Sequence, residues 1–73
     1  MNQPKFVICI ENSDYPASLE KRKIYEVVPD VDAAQVEYIR VIDESGDDYL
    51  YPAACFIDAH LPKAVEAAVV KAA

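Results

Sequence analysis

Short apolar runs, separated by prolines and polar turns, set the pattern of this chain. The first run, Lys5 to Glu11 (KFVICIE), is rich in β-branched residues and too short for a stable helix. It predicts a strand buried over much of both faces. From Asn12 to Arg22 the chain turns polar; Asn12, Ser13 and Asp14 can bond their own backbone and Pro16 fixes φ, which predicts a long irregular connection. The second run, Lys23 to Val28 (KIYEVV), ends at Pro29, a residue that cannot donate to a ladder and so marks a strand's exit. Asp30 to Gln35 (DVDAAQ) reads as a turn or a short helical turn opened by an aspartate cap. The third run, Val36 to Asp43 (VEYIRVID), alternates as a half-buried strand does, with Ile39 and Val41 as its core pair.

The chain's one glycine, Gly46, falls in the polar stretch Asp43 to Asp48 (DESGDD), where a hairpin loop needs a residue with positive φ. Tyr49 to Tyr51 (YLY) forms the return strand. Pro52, Ala53 and Ala54 break it, and Cys55 to Ile57 (CFI) resumes as a brief last strand. After Leu61 the composition shifts to alanine, valine, lysine and glutamate behind Pro62, which predicts a helix with proline in its first turn and Lys71 near its negative end. Val65, Ala68, Val69 and Ala72 share one stripe with Leu61, which is expected to pack against the strands. Val70 lies on the opposite side, either exposed or in contact with a second copy.

Two strands joined by a long polar loop, a tight hairpin pair, a proline-led turn and a final brief strand follow the order of an SH3-like small barrel. The runs YPASLEKRKIYEVVPD (Tyr15 to Asp30) and IRVIDESGDDYLYPAACF (Ile39 to Phe56) carry a more specific likeness. They resemble a family of short, uncharacterised bacterial proteins whose relatives include phage-borne and mobile-element-borne SH3-like domains. Leu19, Lys23, Tyr25 and Val27 occupy the first half of the family pattern, and Asp43, Gly46, Tyr49, Tyr51 and Pro52 the second. Arg22 stands where many such relatives carry a glycine. The resemblance implies a mainly β fold, a five-stranded SH3-like barrel with a C-terminal helix, and no reaction. The expected layout is one domain over residues 1–73, with the barrel at about 5–58 and the helix at about 62–72.

Length and charge then narrow the function. At 73 residues and 8.1 kDa there is room for one domain, and 53% apolar residues suffice to collapse it. Thirteen acidic against seven basic side chains give a formal charge of -6, which repels phosphate backbones and anionic lipid. Nucleic acid and membrane are therefore not expected partners. The Phe6 to Ile10 run is shorter than a signal-peptide core, and two cysteines are too few for a disulfide framework. The expectation is a reduced, cytoplasmic protein without cofactor.

The candidate chemistry is thin. Cys9, Cys55 and His60 lack the paired spacing of a structural zinc site, and Cys9 in an apolar run has its thiol pKa pushed up, against a nucleophilic role. The cysteines are expected to be buried free thiols, although the first and last strands of such a barrel run side by side and could bring the two together. No catalytic residue is assigned and no metal is expected. Asp43, Glu44, Asp47 and Asp48 concentrate negative charge, so a small ligand or cation held through Asp43, Asp47 and Asp48 is the alternative function. In Lys21-Arg22-Lys23 the charge is largely cancelled by Glu20 and Glu26. Tyr49 and Tyr51, two apart on a strand, share a face, and Tyr15 lies in the long loop that flanks it. With Pro16 and Pro52 beside them, these tyrosines form the candidate partner-binding surface. The expected function is a non-enzymatic protein-interaction or accessory module that binds a protein partner or itself. The chain has no tryptophan, the residue peptide-binding SH3 domains use most heavily.

Overall fold

The computed structural model describes residues 4–72. They form a small mixed α/β domain with five strands: β1 (Phe6–Cys9), β2 (Ile24–Glu26), β3 (Tyr38–Ile42), β4 (Asp48–Pro52) and β5 (Phe56–Asp58). Helix α1 (Val31–Gln35) lies between β2 and β3, a single 3-10 turn (Ala53–Cys55) links β4 to β5, and α2 (Lys63–Ala72) closes the chain. Each strand falls inside the apolar run that predicts it or within one residue of its end.

β1 is the centre of a three-stranded antiparallel sheet, with β2 on one side and β5 on the other. A strand covered on both faces reads as a continuous apolar run. This is why Phe6, Val7 and Cys9 are buried and Ile8 half-buried. β3 and β4 form a separate two-stranded sheet across the hairpin, where Gly46 takes φ 87° as the turn requires. Backbone pairing between the sheets is limited to one bridge, Val27 to Val41, beside a hydrogen bond from Val28 N–H to the Arg40 carbonyl at 2.9 Å, while side chains of both sheets share one core.

The closed barrel is not formed among the described residues. β2 is only three residues long because Pro29 ends it, so it serves β1 fully but reaches β3 at a single bridge. β4 and β5 are not paired; the 3-10 turn carries the chain between them.

Asp30 caps α1, its carboxylate accepting from Ala33 N–H at 3.0 Å and from Arg40 Nε at 3.0 Å. α2 departs from expectation. None of its residues is buried, and Val65 stays 43% exposed, so the stripe from Leu61 does not lie against the sheets as a whole. Only Val69 and Ala72, in the last turn, reach a recess lined by Phe6, Ile24 and Ile42. A helical wheel sets which residues share a face, not how near that face comes to a neighbour, and here the last turn is the part that approaches the strands. No helix is long and apolar enough to cross a membrane among the described residues.

Arg22 adopts φ 75°, the left-handed region, as its N–H turns in to donate to the Cys9 carbonyl at 2.7 Å. A residue with a Cβ pays on the order of 1 kcal/mol there, and glycine does not. Arg22→Gly is therefore expected to stabilise the fold by about 0.5 to 1 kcal/mol, read as a higher urea midpoint at unchanged slope. A lower midpoint would show that the arginine side chain contributes more than its backbone costs.

Candidate functional site

The β3–β4 hairpin places the tyrosine surface. On β4, residues two apart share a face, so Tyr49 and Tyr51 point to the same side. Their surroundings differ sharply: Tyr51 is 5% exposed and Tyr49 52%. Tyr51 lies in the hydrophobic core, while Tyr49, nearer the hairpin tip, projects past it. Tyr15, carried on the long loop, packs its ring edge-on against Tyr51, with centroids 4.9 Å apart and planes at 87°. Tyr15, Tyr49, Leu50 and Tyr51 thus line one shallow groove of about 390 Å³, together with Ser18, Asp43 and Ser45. Pro16 is exposed and Pro52 half-buried, and neither lines this groove.

The floor of the groove is fixed by a buried carboxylate. Asp43 accepts from Tyr51 Oη at 2.5 Å on one oxygen and from Ser45 N–H (2.8 Å) and Ser45 Oγ (2.6 Å) on the other. Burial works to raise the Asp43 pKa, but the donors from Ser45 and Tyr51 outweigh it and hold the carboxyl below its usual range. Burial, then the acceptor Asp43, pushes the Tyr51 phenol up. The ring is thereby locked as a hydrogen-bonded part of the core.

A second tyrosine–carboxylate pair anchors the far side of the hairpin. Glu44 accepts from Tyr25 Oη at 2.5 Å and from Lys23 Nζ at 2.7 Å, and its N–H donates to the Ser18 carbonyl at 3.0 Å. Tyr25 Oη in turn accepts from Glu20 N–H at 2.7 Å. The Lys23 and Tyr25 donors lower the Glu44 pKa, whereas burial and then Glu44 raise that of Tyr25.

The acidic turn is consequently not a free cluster of ligands. Asp43 and Glu44 serve tyrosines, and Asp48 pairs with Arg40 Nη1 at 3.2 Å, which leaves Asp47 as the carboxylate of the turn pointing at none of these partners. Among the described residues no group of three or more His, Cys, Asp or Glu side chains is arranged to hold a metal ion. Cys9 and Cys55 are both buried and free; the register sets Cys9 opposite Phe56, one residue away from Cys55. Burial pushes both thiols up. His60 is exposed, 3.7 Å from Asp58 across its Nδ1. Val70 is 46% exposed at a recess edged by Lys5, Lys63 and Lys71.

Sequence reasoning missed two residues of the site, Leu50 and Ser18. Leu50, placed by alternation on the face opposite the tyrosines, still edges the groove because β4 is the outer strand of its sheet. Ser18 also lines it. The Asp43–Ser45 turn was the legible signal: an aspartate two residues before a serine is a standard local acceptor for that backbone N–H. No family model, curated protein or solved structure matches the chain.

Proposed function

We propose that this chain is a non-enzymatic interaction module of SH3-like build that holds a segment of a partner protein in the groove between Tyr15 and Tyr49. The strand order supports the build: β5, β1 and β2 lie side by side, the bridge leads on to β3 and then β4, and the long loop and the 3-10 turn fall at the corresponding corners. One observation carries the function. Tyr49 and Leu50 remain half exposed next to a floor that Tyr51 and Asp43 have made rigid, so their contact area is offered at little further ordering cost. Aromatic side chains placed this way are the usual anchors of protein interfaces. The charge of -6 favours a protein over a nucleic-acid partner in a reducing cytoplasm.

Affinity capture from the native host with wild-type and Tyr49→Ala chains tests the reading. The variant should keep its urea midpoint, corresponding to a change within about 0.5 kcal/mol, and lose the captured protein. Equal capture by both chains would remove the groove from consideration. Tyr51 is unsuitable for this test, because its ring belongs to the core and any loss would report unfolding.

A further inference from the structure

We propose that the outer edge of β4 is a strand-addition site for an extended, positively charged segment of another protein; this rests on the interaction reading above. The ladder fixes which backbone groups are available. Asp43 N–H donates to Asp47 C=O and Ala53 N–H to Glu37 C=O, so in the same register the pairs Val41–Tyr49 and Ile39–Tyr51 exchange hydrogen bonds. The intervening residues Asp48 and Leu50 then turn their N–H and C=O outward, away from β3. No strand pairs with that side among the described residues, and β4 stays exposed from Asp48 to Leu50.

Pro52 ends this edge, having no N–H to offer, and so limits the register an incoming strand can take. Tyr49 on one face and Leu50 on the other would clasp alternate side chains of the added strand, as edge-pairing recognition requires.

Charge selects the occupant. Among the described residues no lysine or arginine lines the groove, and Asp47 and Asp48 stand at the hairpin end of the edge. The nearest bases are engaged: Arg40 by Asp30 and Asp48, Lys23 by Glu44. A second copy fits poorly. Two chains of charge -6 would repel, and an antiparallel β4–β4 pair centred on Leu50 would set Asp48 opposite Pro52, which cannot donate. A basic segment meets neither obstacle.

The test selects displayed random peptides on the full chain and follows the winners by amide hydrogen exchange. Enriched peptides should carry net positive charge, slow the exchange of the Leu50 amide, and weaken by about tenfold when alternate peptide N–H groups are methylated. Raising salt should weaken them further. Leu50→Pro removes an outward N–H together with the leucine side chain, a substitution edge strands tolerate, and should abolish binding, whereas Leu50→Ala keeps the N–H and should only weaken it; the methylated peptides test the backbone bonds without altering the protein. Enrichment of neutral or acidic peptides, an unprotected Leu50 amide, absence of any enrichment, or dimerisation through β4 would each overturn the proposal. Peptides lost on Tyr49→Ala but retained on Leu50→Pro would leave the groove reading standing and strand addition refuted; peptides retained on both would refute both.

Discussion

Leu19→Ala is expected to cost about 3 to 5 kcal/mol, the range for a leucine truncated in a site that cannot collapse around the loss. Leu19 has no exposed surface and is the largest fully buried side chain of the domain, although it belongs to the irregular loop between β1 and β2. The loop is held too firmly to follow a shrinking side chain. Leu19 N–H donates to the Tyr15 carbonyl at 3.0 Å, and its own carbonyl accepts from Asn12 Nδ2 at 3.0 Å. A domain of this size holds net stability of roughly 4 to 11 kcal/mol, so the variant should lie close to unfolding at room temperature. Urea titration followed by circular dichroism reads the result as a midpoint lowered by about 2 to 4 M. A loss below about 1 kcal/mol would mean that the loop repacks freely and is not a wall of the core.

Tyr51→Phe is expected to cost about 2 kcal/mol at neutral pH, because it strips a charge-assisted hydrogen bond from a carboxylate that stays buried. Its signature lies in the pH dependence. In the wild type the Asp43 pKa is lower in the folded than in the unfolded chain, so the stability it contributes is complete above the ordinary carboxylate value near 4. It is lost as pH falls through the depressed folded value. Removing the Tyr51 donor leaves burial, which raises the pKa, opposed by Ser45 alone, and the depression shrinks. Urea midpoints at pH 7 and pH 3 should therefore differ less in Tyr51→Phe than in the wild type. The remaining acid sensitivity belongs to groups such as Glu44 and Asp30, whose pKa values are also lowered by their partners. Equal pH dependence in the two proteins would show that the Tyr51–Asp43 bond contributes nothing beyond packing.

Elements were legible in the sequence wherever a local rule decides them. Pro29, Pro52 and Gly46 punctuate the strands where the backbone demands it, Asp30 caps α1, and Ile39 and Val41 point inward by alternation. What escaped depends on distant partners. Leu19 is a single apolar residue in a polar stretch, where no periodicity says which way it faces; the fold of the loop over the sheets buries it. Tyr49 and Tyr51 have the same spacing rule and opposite fates, since one ends over the core and the other past its rim. The α2 stripe satisfied a helical wheel, yet its last turn is what approaches the strands, because periodicity measures a shared face and not its distance from a neighbour. Asp43 was counted among the free acids of the turn because nothing local announces a phenol eight residues on.

The middle position of β1 also shapes how the protein is made. Its partners are β2, soon after it in the chain, and β5, where Cys9 meets Phe56. A ribosome therefore releases this strongly apolar strand well before its second neighbour. Until Phe56 to Asp58 emerges, one flank of β1 has no native covering, so nascent chains halted before that point should be the species that chaperones hold and proteases remove.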